Sequence, residues 1–432
     1  MFCKRLLQLF VSAMFVFVSV SLSYAVDRYD LIKGYRVNGM GGAFTAVADD
    51  ENAFFYNPAG ITQRDGYLLQ IISIDAQIQD MNFFTKRFKD ISNFDNLPLD
   101  EQLDLLKQSP SISLSLPNLS FLTAPIAVGN NYLSFGAGIF ASGEASFKFD
   151  LSATRMYVDF NISGTGFFAV PVAYQITDLS AIDLPGKLSI GANFKYIERI
   201  KASAYFDSDE WDNMSSKYFY GTGFGADLGL LYTFTKELNF GLQVKDVWGT
   251  KIKYDSSSAS STGTTDYSNY EETIKPMLNF GVSYVPERIF NIETNNRLTL
   301  AADIRDFAGS DNEPDGEFYK KLHVGAEYRF SPFALRLGLN SGNIAFGLGI
   351  ETNGFQLAYA YFGQDSQYSS ETAWVNQFTL AFKVGHQTGR LFGKDIAAKK
   401  ALEAANKPAE EVNQKPAEAT APTSEHSQEE KK

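Results

Sequence analysis

Charged side chains recur at every second position in several otherwise apolar stretches of this chain of 432 residues. Because successive side chains of a β-strand point to opposite faces, the charges of one stretch would share a face. Unpaired charges are costly to bury, so mixed signs on one face predict a paired internal network. A polar conduit, or a carboxylate-binding cluster of Arg305, Arg329 and Arg336, is the alternative. The charges on this face are Asp227, Lys245, Asp303, Arg305, His323, Glu327, Arg329, Arg336, Glu351 and Lys383.

Residues suited to catalysis or metal binding are scarce. Two of the three histidines, His386 and His426, lie outside the alternating stretches, and no serine can be paired with His323 from the sequence. The one cysteine, Cys3, lies near the start of the chain, and no His or Cys cluster has metal-ligand spacing. We therefore expect no catalytic residue, no metal site, no cofactor and no enzymatic activity.

Composition and charge narrow the class of protein. A formal net charge of −12 disfavours a nucleic-acid partner. The mean hydropathy of −0.17 excludes a polytopic helical membrane protein, which needs several apolar runs of about 20 residues. An aromatic content of 14% together with 34 glycines favours a strand-rich protein.

The first 25 residues have the pattern of a secretory signal. Lys4 and Arg5 precede an apolar run at 6–22, and Ser23, Tyr24 and Ala25 form a small-x-small cleavage site. We predict a signal peptide at 1–25, with an uncleaved membrane anchor as the alternative.

Alternation of apolar and polar residues predicts about fourteen strands. Their lengths meet or exceed the roughly 9–11 residues that cross a bilayer when tilted. This favours an all-β, 14-stranded antiparallel transmembrane β-barrel over a soluble β-protein of an envelope compartment. An even strand count places both chain ends on one side, which would be the periplasm. The spans are 67–79, 113–128, 132–142, 153–177, 186–206, 217–235, 237–248, 273–286, 297–306, 320–330, 333–340, 343–351, 354–362 and 374–384.

The connections divide into short turns and longer polar loops. Loops at 80–112, 207–216, 249–272, 307–319 and 363–373 would lie outside the cell, and the first would hold a helix at 97–107. The predicted barrel therefore occupies 66–385. The remainder, 386–432, would form a short helix and a disordered periplasmic tail.

The segment at 26–65 precedes the first strand and contains the most specific local motif. Glycines are dense at Gly39, Gly41 and Gly42, around Met40, which permits close packing of backbones. Further on, the run Asn57, Pro58 and Ala59 favours a fixed turn. Such a segment suits a compact plug against a barrel wall.

The motif resembles the start of the FadL-type outer-membrane family. The matching strings are Gly-Met-Gly-Gly-Ala-Phe at 39–44 and Asn-Pro-Ala-Gly at 57–60, and stretches at 223–232, 322–329 and 335–339 resemble family strands. The family includes long-chain fatty-acid transporters and the PorV and PorQ group associated with secretion.

The resemblance implies an N-terminal hatch at 26–65 inside a fourteen-stranded barrel. Gly39, Met40, Gly41, Gly42, Asn57, Pro58 and Ala59 would be its hatch residues. Hydrophobic ligands, fatty-acid-like in this family, would enter from outside and leave sideways beside a kinked strand. The kink would fall in the third strand, at Gly136, Gly138 and Gly143, unless these glycines only pack against the hatch. Apolar residues of the outer loops, Phe83, Phe84, Tyr267 and Tyr270, would capture the ligand.

A PorV-like barrel without small-molecule flux is the rival hypothesis. Its outer loops or its tail at 386–432 would hold secretion-system or cell-wall partners. A structural envelope protein is a third possibility. In each case we expect an outer membrane of the Gram-negative type, with outer-membrane lipid around the barrel.

Overall fold

The computed structural model describes residues 34–64, 66–87, 90, 96–107, 110–152, 155–207, 210–255, 271–286, 297–309, 318–352, 354–365 and 372–385. Seventeen strand segments form one antiparallel sheet, and three pairs of consecutive segments continue one another. The result is a closed barrel of fourteen strands. The predicted signal peptide and tail lie outside the described residues.

The strands carry the labels β1 to β14 in chain order. Three of them, β2, β7 and β8, consist of two parts each. The bounds are β1 Leu68–Gln79; β2 Ser111–Leu122 and Ile126–Val128; β3 Asn131–Ser152; β4 Arg155–Ile176; β5 Lys187–Asp207; β6 Glu210–Thr233; β7 Leu238–Lys245 and Thr250–Asp255; β8 Glu271–Ile274 and Met277–Tyr284; β9 Arg297–Ile304; β10 Leu322–Phe330; β11 Phe333–Asn340; β12 Asn343–Glu351; β13 Phe355–Asp365; β14 Thr372–Val384.

Pairing of β14 with β1 closes the barrel. The register runs from Leu69 opposite Val384 to Gln79 opposite Val375. Every other neighbouring pair is sequential and antiparallel, which is what hairpin connections produce. The predicted all-β, fourteen-stranded barrel is confirmed.

One side of the barrel is much taller than the prediction. Strands β3 to β6 contain 22, 22, 21 and 24 residues, whereas β9 and β11 contain 8 each. The outer loop predicted at 207–216 is therefore wrong, because β5 and β6 continue to Asp207 and from Glu210. Pairing of the two strands reaches Tyr205 opposite Ser215 and, after a register shift, Asp207 opposite Glu210, although the polar residues here resemble a loop in the sequence.

Two α-helices and several short helical turns accompany the strands. Helix α1 is Tyr35–Gly39 and helix α2 is Leu99–Lys107, which confirms the helix predicted at 97–107. The short turns are Glu51–Phe54, Pro58–Gln63, Phe83–Arg87, Ser180–Ile182 and Phe318–Lys321. None of the helices in the described ranges is long and apolar enough to cross a membrane.

Alternation along each strand separates an apolar exterior from a polar interior. On β11, the outward Leu335, Leu337 and Leu339 are exposed, while the inward Ala334 and Arg336 are buried. This is the pattern of a barrel whose outer face meets hydrocarbon.

Candidate functional site: the N-terminal segment and the β1–β2 seam

The N-terminal segment, defined here as residues 34–64, lies within the barrel. All residues of 35–48 and 52–62 are buried. Its contacts reach the inward faces of strands from β3 around to β14. These contacts place the segment against the inner wall.

Two glycines allow the segment to leave helix α1 and pass close to the wall. Gly41 and Gly42 have φ values of 62° and 87°, a region that favours glycine. A Cβ on Gly41 would lie 2.5 Å from the backbone N of Leu339, and one on Gly42 would lie 2.7 Å from Nδ1 of His323. That ring nitrogen lies 2.8 Å from the carbonyl oxygen of Gly41, and because a carbonyl only accepts, Nδ1 is the donor. His323 thus serves to hold the segment.

The run Asn57, Pro58 and Ala59 begins the helical turn Pro58–Gln63. Asn57 is the N-cap, since its Oδ1 accepts from the backbone N of Ala59 at 3.1 Å, and proline takes the first helical position. The Asn57 Nδ2 group donates to the carbonyl oxygens of Thr45 at 2.8 Å and Leu230 at 3.1 Å. Asn57 therefore joins the two halves of the segment to β6 and is itself fully buried.

Small residues on the inner wall make room for the segment. We call this set the glycine belt. A Cβ on Gly191 would lie 2.4 Å from the backbone N of Ala59, and one on Gly338 would lie 2.3 Å from that of Gly41. The belt consists of Gly191, Gly229, Gly241, Gly281, Gly325, Gly338 and Gly347, one on each of seven strands. The glycines on the inward faces of the strands thus allow the backbone of the wall to contact the backbone of the N-terminal segment.

Charge holds the segment on the β10–β11 side. Arg36 is 1% exposed and binds Glu327 through two hydrogen bonds of 2.8 Å each. Its Nη1 group also lies 2.5 Å from Asp49 and 2.7 Å from Asp50. Arg297 binds Asp49 at 3.1 Å from the wall. One buried guanidinium is therefore surrounded by three carboxylates.

This network shifts the protonation equilibrium of Asp49. Burial alone would raise the pKa of the Asp49 carboxyl, but the charges of Arg36 and Arg297 outweigh it. Together they hold the pKa of Asp49 well below its ordinary value. Asp49 therefore stays ionised and paired.

Two of the three arginines considered as a carboxylate-binding cluster, Arg329 and Arg336, already have carboxylate partners in the wall. Arg336 is fully buried and pairs with Glu327 at 2.7 Å and with Glu351. Arg329 pairs with Glu327 at 3.0 Å, while Arg305 lies over the ring of Tyr56 at 5.8 Å. This geometry agrees with a paired network and offers little to an incoming anion.

Asp303 binds the backbone of the segment. Its Oδ2 accepts from the backbone N atoms of Phe44 and Thr45, both at 2.7 Å. Lys383 on β14 similarly binds Glu51 at 2.6 Å. Both wall charges thus face the segment.

The sequence analysis missed several members of the interior. Lys195 binds Asp227 at 2.7 Å and Asp246 at 2.9 Å, and Arg199 binds Glu272 at 3.3 Å. Two of them could have been predicted from the alternation along β5, because Lys195 and Arg199 share the inward face with Asn193. Arg36 and Asp49 gave no such signal, since they lie outside any strand.

An aromatic cluster lies between the segment and the tall side of the barrel. Phe140 and Phe167 stack with centroids 5.0 Å apart, and Phe55 meets both rings edge-on at 4.9 and 5.2 Å. Phe54 contacts Phe140 at 5.2 Å. These four rings are 8% exposed or less, so they are packed core.

The wall between β1 and β2 has a break in its hydrogen-bond ladder. Pairing runs from Leu68 opposite Leu122 to Gln70 opposite Ser120 and resumes at Asp75 opposite Ser115. We call the intervening stretch, 71–74 against 116–119, the seam. Residues of the seam form no backbone pairs with each other, although the register is constant across it.

Irregularities flank the seam on both sides. The register of β1 against β14 shifts between Gln70 and Ile72, and that of β2 against β3 shifts between Ser115 and Asn118. Such bulges interrupt pairing and bend a strand locally. Pro117 contributes, because proline has no backbone N–H to donate.

Polar side chains on the inner face bridge the seam. Asp75 accepts a hydrogen bond from Asn118 Nδ2 at 3.2 Å across the seam. It also accepts from Ser73 on its own strand at 3.1 Å and from Thr379 on β14. The Gln70 side chain donates to the backbone oxygen of Asn118 at 3.0 Å. In an intact ladder, a backbone N–H of the neighbouring strand would donate to such an oxygen. Outside, Ile71, Leu116 and Leu119 are exposed. The seam is thus polar inside, apolar outside and joined by side chains.

The third strand carries a small irregularity at the predicted place. Strand β3 runs from Asn131 to Ser152, but its pairing with β4 stops at Phe135 opposite Val172 and resumes at Gly138 opposite Ala169. The longer break and the register shifts lie in β1 and β2. A Cβ on Gly136 or Gly138 would lie 3.4 or 3.2 Å from the ring of Phe54, whereas Gly143 has nothing closer than 3.8 Å. The first two glycines pack against the segment, which was the alternative explanation for them.

The predicted capture residues are only partly described. Phe83 is fully buried and contacts Phe84 edge-on at 5.4 Å, so it cannot present its own surface to a ligand. Tyr267 and Tyr270 lie outside the described residues. The sequence analysis did not assign a role to Leu99 and Leu103, which are 70% and 49% exposed, four residues apart on α2. They form an exposed apolar stripe beside the long loops.

No group of three or more His, Cys, Asp or Glu side chains within the described ranges could hold a metal ion.

Comparison with known proteins gives distant structural likenesses. No protein-family model matches the chain, and no curated protein matches it. The toluene transporter TodX of Pseudomonas putida is similar at a TM-score of 0.46 and 12% identity, over 85% of this chain and 100% of TodX. The toluene transporter TbuX of Ralstonia pickettii is similar at 0.46 and 13%, over 82% of this chain and 98% of TbuX. The monoaromatic hydrocarbon channel CymD is similar at 0.43 and 13%, over 84% of this chain and 100% of CymD. Likenesses at these values establish neither a shared family nor a shared ligand.

Proposed function

We propose that this barrel spans an outer membrane and passively takes up hydrophobic small molecules, which it releases sideways through the seam. One observation carries the proposal. The N-terminal segment is bound closely to the inner wall, while the wall lacks four backbone pairs between β1 and β2. A molecule entering the lumen therefore meets a wall that is easier to open than the segment is to displace.

The charge network supports a segment that stays in place. Displacing the segment would break the buried ion pair of Arg36 with Glu327 and the pair of Asp49 with Arg297, and breaking a buried pair costs about 3–5 kcal/mol. Opening the seam breaks side-chain hydrogen bonds, each with a net contribution of about 0.5–1.5 kcal/mol, or up to about 3 where a charge is involved. The motif at Asn57, Pro58 and Ala59 then acts as a staple for the segment, which forms the floor of the lumen.

The outer surface supports release into the membrane. Ile71, Leu116 and Leu119 are exposed at the outer side of the seam. In a bilayer these side chains would meet acyl chains, so a ligand leaving the seam would pass directly into hydrocarbon. With an even number of strands, we place both ends of the barrel chain at the periplasmic side.

Capture would begin at the long-loop end. The stripe of Leu99 and Leu103 on α2, with half-buried Phe84 nearby in the chain, provides an apolar surface. Burial contributes about 0.8 kcal/mol per CH₂ group, so a long acyl chain would bind without specific contacts. The acyl chain of a fatty-acid-like ligand would bind in this way. Its head group would have to pass the polar inner face of the seam.

The proposal is tested by uptake into cells that express the protein in an outer membrane. We expect uptake of naphthalene to rise several-fold over cells without the protein, and uptake of sucrose to stay unchanged because the N-terminal segment lies within the barrel. A matched rise in sucrose uptake would indicate an open pore, and no rise in naphthalene uptake would refute the proposed function. Heat-modifiable migration on gels would show that equal amounts of folded barrel are compared.

The rival hypothesis, a barrel that holds a secretion or cell-wall partner, has a separate outcome. Native mass spectrometry of gently extracted protein would then show a stoichiometric protein partner and no apolar ligand. Bound apolar ligand without a protein partner supports uptake.

A further inference from the structure

The inner face of the seam is rich in hydrogen-bond acceptors. Asp75 receives hydrogen bonds from Ser73, Asn118 and Thr379, of which the Asn118 Nδ2 group can only donate. Three hydrogen bonds thus converge on one carboxyl group. The bonds connect β1, β2 and β14, so Asp75 holds together the strands that the broken ladder leaves apart.

Two polar atoms at the same place have no hydrogen-bond partner among the described residues. They are Oδ1 of Asn118 and Oγ of Ser120, on side chains that are 3% and 4% exposed. Both residues face inward on β2, on either side of the exposed Leu119. Buried polar atoms without partners are uncommon, and leaving one unsatisfied costs about 1–3 kcal/mol. A passing molecule that donates a hydrogen bond would satisfy Asn118 Oδ1.

The nearest wall cation is already engaged. Lys383 is the cross-strand neighbour of Gln70 at the edge of the seam, and its Nζ atom binds Glu51 at 2.6 Å. A ligand carboxylate would therefore approach Asp75 while the neighbouring cation is already paired with the carboxylate of Glu51. A carboxylate also brings only hydrogen-bond acceptors, which cannot satisfy the unpartnered Asn118 Oδ1.

We infer that the seam selects apolar molecules that carry an uncharged hydrogen-bond donor, such as a hydroxyl group, and disfavours carboxylate anions. The inference rests on the proposed lateral release and narrows its ligand class. The donor would bind Asn118 Oδ1 or compete for Asp75, weakening the side-chain bridges while the ligand's apolar body moves between the strands. A fatty acid would pass poorly in its ionised form, whereas a fatty alcohol or a phenol would pass well.

The test compares dodecane, dodecanol and dodecanoate, which share one chain length and differ in head group. Uptake by proteoliposomes containing the full barrel is measured at about pH 8, where a carboxylate with an ordinary pKa near 4–5 is ionised. We expect uptake of dodecanol to exceed that of dodecanoate by about tenfold, the equivalent of one hydrogen bond to a charged acceptor. The Asp75→Asn variant should reduce this ratio to near one, mainly by admitting dodecanoate.

Further variants separate selectivity from folding. Ser120→Ala removes an unpartnered hydroxyl at the seam and should lower the preference for dodecanol. Ser134→Ala removes another buried, unpartnered hydroxyl, on β3 opposite Ala173, and should leave the ratio unchanged. Dodecanoate uptake equal to or above dodecanol uptake in the unmodified protein would overturn the inference. Absence of protein-dependent uptake of all three probes would instead refute the proposed function.

Discussion

Arg36 and Glu327, 291 positions apart in the chain, form a two-bond ion pair inside the barrel, with both N–O distances at 2.8 Å. The first residue belongs to the N-terminal segment and the second to β10. Both are 1% exposed or less. The pair therefore fixes the segment to the wall at a point that water does not reach.

Replacing Arg36 by Met should destabilise the protein by about 3–5 kcal/mol, because Glu327 and Asp49 each lose one of their buried counter-charges. The free energy of unfolding in urea, followed by tryptophan fluorescence in detergent micelles, measures the loss. The matched control is Lys251→Met, which breaks an ion pair of 2.8 Å whose Lys side chain is 60% exposed. We expect less than about 1 kcal/mol there. Equal small losses in both variants would show that the Arg36 pair does not hold the segment.

Adding a methyl group to the glycine belt should loosen the segment. In Gly338→Ala, the new Cβ would lie 2.3 Å from the backbone N of Gly41, a contact that requires one backbone to move. Trypsin should then cleave after Arg36 and Arg64, which are 1% and 7% exposed, and mass spectrometry would detect the fragments. The control Gly143→Ala, with its nearest neighbour 3.8 Å away, should stay resistant. Equal resistance of Gly338→Ala would contradict the close seating.

Acid should weaken the seating through Asp49. The pKa of Asp49 is lowered in the folded protein, since its arginine partners outweigh the effect of burial. Its stabilising contribution is therefore complete above the ordinary pKa and is lost as the pH falls toward the lower folded-state value. The difference in thermal unfolding midpoint between the unmodified protein and Asp49→Asn should be large at about pH 7 and shrink toward about pH 3. A difference independent of pH would mean that Asp49 does not contribute as a charge.

The sequence indicated the barrel because alternation is a property of single strands. On β11 the outward and inward sets predicted from 333–340 are those observed. The reason for the inward glycines was not visible in the same way, since their contacts are with residues such as Ala59 and Met40, far away in the chain. Alternation in the sequence shows that one face of a strand carries small residues. It does not show which distant residues pack against that face.

The seam was missed for a related physical reason. Pro117 is visible in the sequence, but a proline in a strand only removes one donor. The break over 71–74 arises because bulges in β1 and β2 fall beside each other once the strands are paired. Glycines in β3 gave the more conspicuous local signal, but the pairing of β3 with β4 is interrupted there only at 136 and 137, a shorter break than the seam.

Polar substitution of the α2 stripe should weaken capture. The double variant Leu99→Gln, Leu103→Gln removes two exposed apolar side chains at the long-loop end. We expect the half-saturating concentration for naphthalene uptake to rise about three- to tenfold with an unchanged maximal rate, in proportion to the apolar area lost. Ile182→Gln changes a 55% exposed apolar residue at the short-turn end and should have no effect. A fall in the maximal rate without a rise in the half-saturating concentration would show that Leu99 and Leu103 do not take part in ligand capture.

Locking the seam tests the central claim, that ligand leaves between β1 and β2. Cysteines replace Ile74 and Leu116, which lie opposite each other by the constant register of these strands. The control pair replaces Val324 and Leu339, outward-facing partners on β10 and β11, where the ladder is intact. Oxidation of the seam pair should abolish naphthalene uptake and reduction should restore it, while the control pair should transport in both states. Unchanged uptake through a fully oxidised seam would contradict lateral release at this place.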